Sequence, residues 1–286
     1  MPAQPAPALQ PTPPSPGEAH RLARLAHREG GIAIAPEKTD FLAARLTRRL
    51  RARGLADFAA YLALLEAPEG RDELARFIEA LTTHTTSFFR EGLQYDWLRE
   101  TGLPGLILDG AGRRRELVFW SAACSTGQEL YSALMTVAAL GGAEEEGLRF
   151  RGIGTDLSSA VLQQARSGIY GGEEIAGIPD AMRRRFLLSA RDGSGVHRIC
   201  APLRKRALWR RANLVSPGDT AGIDADVAFL RNVLIYFDAA TRDRVVDAVI
   251  RRVRPGGYLL TGHAETLRAE RHGLRAIRPS IYRKEP

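Results

Sequence analysis

A change of hydrophobic period near residue 115 constrains this chain more than any other feature of its sequence. Before it, apolar residues recur at helical spacing. EKTDFLAARLTRRLRARG sets Leu42, Leu46 and Leu50 four apart, with Thr39 or Asp40 as a cap and Gly54 as the stop. DFAAYLALLEA opens at Asp57, and DELARFIEAL aligns Leu74, Phe77, Ile78 and Leu81 on one stripe. After residue 115, short apolar runs alternate with amphipathic ones. LVFWSAA, RFRGIGTD, DVAFLRNVLIYF and GGYLLTG read as strands; the stretch from Glu129 to Leu140, SSAVLQQARSG and TRDRVVDAVIRRV read as helices. Such alternation predicts an α/β fold, a doubly wound, mostly parallel sheet with its ligand at the carboxyl ends of the strands. It lapses between Ile169 and Asn213, where short strand-like pieces surround a turn with Gly193 and Gly195; a small antiparallel insertion at about residues 170–212 is expected there. The expected organisation is a Pro-rich start without order (1–17), an all-helical domain (18–92) and an α/β domain (93–286).

Composition narrows the class. An apolar share of 44% is ample for a packed core. No charged-then-apolar leader opens the chain, and the uncharged stretch from Leu130 to Ala143 is too short to span a bilayer. Cys124 and Cys200 make neither a disulfide framework nor a metal cluster. The expectation is a cytoplasmic, monomeric protein with no metal and no membrane insertion. The net charge of +8 raises nucleic acid as a partner. Its basic runs are Arg45, Arg48, Arg49, Arg51 and Arg53, then Arg204, Lys205, Arg206, Arg210 and Arg211; only Trp209 interleaves them with an aromatic, so no nucleic acid is expected. Solvated surface and an acidic protein partner are the two readings that remain.

The first strand runs into SAACSTGQE, a turn of small residues followed by Glu129 in the first helical turn. A carboxylate there repels phosphate and suits a ligand with hydroxyls or positive charge. Asp156 of GTD ends the second strand, roughly 30 residues on, somewhat beyond the usual offset of an acid that takes a ribose diol. Taken singly, these features have plain alternatives: a tight turn with no ligand, and Asp156 as a helix N-cap. Together they point to a nucleoside without phosphates. LTTHTTSFFRE, between the helical and alternating regions, is either part of that site or an interdomain staple.

LTTHTTSFFRE, WSAACSTGQELYS, GTDLSSAVLQQARSGIY, RNVLIYFD and GGYLLTGHAETL, in this order, closely resemble the CheR family of chemotaxis glutamate methyltransferases, from about Glu29 to Tyr282. The resemblance implies a class I methyltransferase-like fold and S-adenosylmethionine as cofactor, with S-adenosylhomocysteine as product. It implies that glutamate side chains of chemoreceptors are methyl-esterified for sensory adaptation. It assigns cofactor binding to His84, Thr86, Arg90, Glu129, Asp156, Asn213, Leu214, Arg231 and Asn232, and the residues most important for turnover to Arg90, Asp156 and Tyr236. His84 stands where the family has Asn, and Gln128 where many members have Glu. The basic helix Arg45 to Arg53 is expected to face acidic receptor helices, with the insertion as a second docking element. Two other functions are compatible with this architecture: methylation of another signalling protein on the same fold, and a non-catalytic cofactor- or nucleic-acid-binding module. The latter predicts damage at Arg90, Asp156 or Tyr236, and all three are intact. A nucleic-acid methylase would carry N-P-P-Y or D-P-P-Y at the fourth strand, where this chain has R-N-V-L. A His84→Asn variant, which restores the family residue, should keep activity in a steady-state assay. A loss beyond about a hundredfold, roughly 2.7 kcal/mol, would give His84 a role of its own.

Overall fold

The computed structural model of the chain describes residues 12–35, 37–140 and 147–285. They form two compact units, one ending at Thr83 and including Tyr236–Asp238, the other built from His84–Ile235 and Ala239 onward. The division lies at 83/84 rather than at the expected 92/93. Residues 84–92 belong with the sheet because Phe88 packs edge-on against Tyr170 at 4.9 Å and the Phe89 amide donates to Ser132 Oγ at 2.9 Å.

The helical unit holds α1 (Pro16–Gly30), α2 (Thr39–Arg53), α3 (Phe58–Glu66) and α4 (Arg71–Leu81). Residues 1–11 of the Pro-rich start lie outside the described residues, but residues 15–17 are ordered into α1. Ser15 and Glu18 form a capping box around Pro16, which satisfies amides that would otherwise lack partners. α2 has no side-chain cap; Lys38 stands at that position, not Thr39 or Asp40. Leu42, Leu46 and Leu50 are buried as their spacing requires, and Gly54 closes the helix at φ 67°. Asp57 caps α3 through the Ala60 amide at 2.8 Å.

On α4 the expected stripe differs at one position. Phe77, Ile78 and Leu81 are buried, but Glu73 is buried where Leu74 is only partly so. The Glu73 carboxylate accepts from Arg49 Nε at 2.9 Å and Nη2 at 2.7 Å, and from the Tyr61 hydroxyl at 3.0 Å. Arg45 donates to the Thr82 carbonyl at 3.3 Å and Thr83 Oγ1 at 3.0 Å. Arg53 Nε also lies 3.7 Å from Glu73 Oε2, so three of the five arginines in the basic helix contact their own unit; Arg48, Arg51 and Arg53 are exposed. The buried acid on α4 turns Arg49 inward, and Thr82 and Thr83 hold Arg45.

The second unit opens with α5 (Gly92–Trp97) and α6 (Leu103–Leu108), then β1 (Leu117–Ala122), α7 (Gln128–Ala138), β2 (Phe150–Asp156), α8 (Ser159–Ser167) and β3 (Ile169–Gly171). It continues through α9 (Asp180–Phe186), β4 (Leu187–Ser189), β5 (Val196–Ile199), α10 (Ala201–Arg206), β6 (Ala207–Arg211) and β7 (Ala225–Leu230). α11 (Ala239–Arg251), β8 (Val253–Thr261), β9 (Leu274–Arg278) and β10 (Ile281–Lys284) complete it. The main sheet has seven strands in the order β6-β2-β1-β7-β8-β10-β9, parallel from β6 to β8 and antiparallel at β10 and β9. β1 and β7 are buried along their whole length, as continuous apolar runs in the middle of a parallel sheet must be. At the amino ends of these strands, buried Asp226 accepts from the Val118 amide at 2.8 Å and pairs with Arg254 at 2.8 Å and Arg115 at 2.5 Å.

The antiparallel insertion is real but shorter than expected. β3, β5 and β4 make a three-stranded sheet, whereas β6, inside the expected 170–212 span, joins the main sheet parallel to β2. As an edge strand with exposed Leu208, Arg210 and Arg211, β6 shows the half-polar pattern of a hairpin arm. The second basic run is occupied internally. Arg204, Arg206, Arg210 and Arg211 donate to the carbonyls of Ile199, Phe150, Ala221 and Leu157. Among the described residues no helix is long and apolar enough to cross a membrane, and no cluster of side chains has the makings of a metal site.

Removing one partner of a buried ion pair strands the other. Arg49→Ala should therefore cost about 3 kcal/mol in urea unfolding, whereas Arg48→Ala should stay within about 0.5 kcal/mol.

Candidate functional site

The chain leaves β1 through Ala123 (φ 79°), Ser125 (φ 49°) and Gly127 (φ 93°) before entering α7. Gly127 is required: a Cβ there would stand 2.8 Å from the Trp209 ring and 2.9 Å from Ala165 Cβ. Trp209 covers Gly154 in the same way, so the one aromatic among the basic residues is a packing residue. The turn's amides point inward. Ala123 and Cys124 donate to the Thr155 carbonyl at 2.8 and 2.9 Å, and Ser125 donates to Asp156 Oδ2 at 2.8 Å. With these amides engaged, the turn does not offer the array of free N–H groups that cradles a phosphate.

Asp156 also accepts the Ser158 amide at 2.9 Å through Oδ1. It is not the cap of α8; Ser158 is, through the Val161 amide at 3.3 Å. Asp156 instead locks the β1 turn onto the end of β2. Burial pushes its pKa up, while the amides of Ser158 and Ser125 and the neighbouring His84 pull it down. His84 joins the same cluster through its carbonyl, which accepts from Ser125 Oγ at 2.8 Å.

Glu129, in the first turn of α7, accepts from Ser121 Oγ at 2.9 Å and from Arg231 Nη1 at 2.8 Å. Arg231 follows β7, with its side chain 1% exposed. It also reaches Glu91 Oε2 at 2.9 Å and the Arg90 carbonyl at 2.7 Å. One guanidinium thus holds two carboxylates and the backbone of the FFRE segment, leaving one net negative charge. Burial pushes the Glu129 carboxyl up and Arg231 opposes that shift; the Arg231 guanidinium is held above its ordinary value by Glu129 and Glu91 against the cost of burial.

Glu265 fixes the neighbouring loop. Its buried carboxylate accepts from the amides of Asn232 at 2.6 Å, Leu234 at 2.8 Å and Gly262 at 3.0 Å. This bridges the ends of β7 and β8 and holds Asn232 at φ 56°. Glu91 and Glu265 were missed as site residues in the sequence, although both lie in the quoted FFRE and GHAE segments. Nothing in their spacing distinguishes a carboxylate that gathers amides from one that faces solvent.

The other expected residues are distributed as follows. Thr86 and Arg90 are half-buried, and Arg90 donates to the Thr85 carbonyl at 3.1 Å. Asn213 and Leu214 follow β6, tied to the end of β2 by the Ala212 amide, which donates to the Asp156 carbonyl at 2.9 Å. Leu214 is buried and Asn213 Oδ1 accepts the Val215 amide at 3.2 Å. Tyr236 belongs with the helical unit, where its hydroxyl accepts from the Thr83 amide at 3.2 Å and donates to the Thr83 carbonyl at 3.4 Å. Among the described non-glycine residues with positive φ, Phe89, Glu91, Ala123, Ser125 and Asn232 all lie in these segments, and only Ser280 lies elsewhere. Backbone held in costly conformations gathers where function over-determines it.

The set is rich in buried carboxylates and poor in free donors, so it suits a phosphate-free ligand that carries hydroxyls and positive charge. Residues 84–282 match the model for the CheR methyltransferase SAM-binding domain, and residues 18–82 match the CheR methyltransferase all-alpha domain. The chain belongs to the CheR methyltransferase family. It is 37% identical to the chemotaxis protein methyltransferase of Escherichia coli over 86% of this chain and 82% of that one. Chemotaxis protein methyltransferase 2 of Pseudomonas aeruginosa is 33% identical over 90% and 89% of the two chains. The chemotaxis protein methyltransferase of Borreliella burgdorferi is 30% identical over 93% and 94%. The fold is the class I methyltransferase-like α/β fold with its all-helical domain, and the cofactor is S-adenosylmethionine. That molecule has no phosphate; it carries a ribose diol, an ammonium, a sulfonium and one carboxylate.

Arg231→Lys should not rescue the floor, because a single ammonium cannot reproduce a fork that bridges Glu91, Glu129 and a carbonyl. Urea unfolding should show a loss of about 3 kcal/mol, with S-adenosylhomocysteine binding lost in calorimetry under native conditions.

Proposed function

We propose that this methyltransferase esterifies glutamate side chains on the cytoplasmic methylation helices of chemoreceptors, acting as a monomer in the cytoplasm and without a nucleic-acid partner. The observation that carries the reading is a site floored by Glu91, Glu129 and Arg231 in which, among the described residues, the buried carboxylates are taken up by fixed donors: Glu129 by Ser121 and Arg231, and Asp156 by the Ser125 and Ser158 amides. The acceptor needs no base. A glutamate carboxylate is already ionised at neutral pH, so it attacks without losing a proton. Bound S-adenosylmethionine supplies an electrophilic methyl. Cys124 adds no competing nucleophile, since burial pushes its thiol well up and keeps it protonated.

The protein's part is then binding, orientation and exclusion of water. Asp156 stands at the end of β2, where the fold takes the ribose, with Asn213 and Leu214 beside the adenine. His84, Thr86, Glu129, Arg231 and Asn232 hold the remainder of the cofactor. Arg231 acts through Glu129 and the Arg90 backbone, to which its guanidinium is bonded. Arg90 orients a carboxylate with the part of its side chain not used on Thr85, and the family resemblance gives Tyr236 a place beside the methyl. Arg48, Arg51 and Arg53 of α2, with the β3-β5-β4 insertion, are the receptor-facing candidates.

Incubation with methyl-labelled cofactor and membranes holding the host's chemoreceptors should place label on a receptor-sized band, released by mild base as an ester requires. Turnover should show no fall on the acid side near neutrality, where an enzyme base would have to lose its proton. Base-stable label, or label on a different signalling protein, would replace the receptor glutamate with another acceptor.

A further inference from the structure

Helix α1 carries a basic face that the methyl-transfer reading leaves unused. His20, Arg21, Arg24, His27 and Arg28 are exposed and fall three and four residues apart, so they share one side of the helix. With Leu25 and Ile34 in its lining, this face borders a groove of about 790 Å³ whose lining includes one carboxylate, Glu66. Arg21 pairs with Glu66 at 2.5 Å, His27 with Asp238 at 2.6 Å and Arg28 with its neighbour Glu29 at 2.7 Å. Arg24 makes no ion pair or hydrogen bond among the described residues. It lies one turn from Arg28, a spacing at which like charges oppose each other. A partly apolar groove edged by stacked cations is complementary to an acidic amphipathic segment.

The groove is also built onto the segment that carries Tyr236. The Ala33 amide donates to the Tyr236 carbonyl at 2.8 Å, Ile32 and Phe237 form an antiparallel bridge, and His27 holds Asp238. We propose that this groove docks an acidic helix of the methyl-accepting partner, with Arg24 as its principal charge contact. The proposal rests on the receptor reading above. It adds a second basic surface to α2, where Arg45 and Arg49 are engaged internally.

Steady-state methylation of chemoreceptor membranes by wild type, Arg24→Ala and Arg24→Glu tests it. The reversal should raise the apparent KM for receptor about tenfold and flatten its salt dependence, with the alanine variant between. S-adenosylhomocysteine affinity and melting temperature should not change, because Arg24 is exposed and makes no ion pair or hydrogen bond among the described residues. A photo-crosslinker at position 24 should trap a receptor-sized adduct. An unchanged KM with no adduct would overturn the proposal. So would an Arg24→Glu variant whose only defect is lost retention on a DNA duplex, which would make the groove a general polyanion site. If wild type places no label on receptors, the acceptor assignment itself fails, and the docking proposal with it. Methylation that proceeds with an unaltered KM removes the groove alone.

Discussion

The buried contact of Arg231 with Glu91 and Glu129 is the interaction on which the catalytic unit is organised. The three residues come from the exit of β7, the FFRE segment and the first turn of α7, so one side chain joins parts of the chain far apart in sequence. Two acids on one guanidinium leave a net negative charge in a poorly solvated place. Such a floor is costly as an isolated feature and becomes favourable beneath a cation. That charge balance also explains the kind of turn after β1. Its amides bond to Thr155 and Asp156, which suits a ligand bound through hydroxyls and positive charge rather than through phosphate.

Catalysis by such a site is a matter of geometry. With the methyl already activated in the cofactor, the protein lowers the barrier by alignment, and alignment depends on backbone that does not move. The left-handed residues Phe89, Glu91, Ala123, Ser125 and Asn232 are held by specific partners: Ser132 for Phe89, Asp156 for Ser125, and Glu265 for Asn232. Asp156 and Glu265 therefore resemble each other in effect. Each gathers amides from two loop ends and makes one rigid rim from them.

The arginines show why a charge count is a poor guide to partners. In the second basic run, Arg204, Arg206, Arg210 and Arg211 bond to backbone carbonyls, and in α2 Arg49 answers a buried glutamate. A long side chain with five donors serves well as an internal staple. The arginines of these two helices that make no ion pair or hydrogen bond among the described residues are Arg48 and Arg51 on α2 and Arg24 on α1, all exposed.

By itself the sequence determined the division into a helical region and an alternating one, the central strands and the turn at Gly127, because periodicity and small-residue turns are local properties. It also determined the family, through motifs whose order is unambiguous. The tertiary structure alone decided what depends on distant neighbours. β6 is a main-sheet strand because β2 lies beside it, and residues 84–92 belong to the α/β unit because Phe88 finds Tyr170. Glu73 turns Arg49 inward from another helix, and Glu91 and Glu265 become site residues only when the strand ends converge. A carboxylate's role depends on which donors reach it, and those donors come from residues that folding brings together.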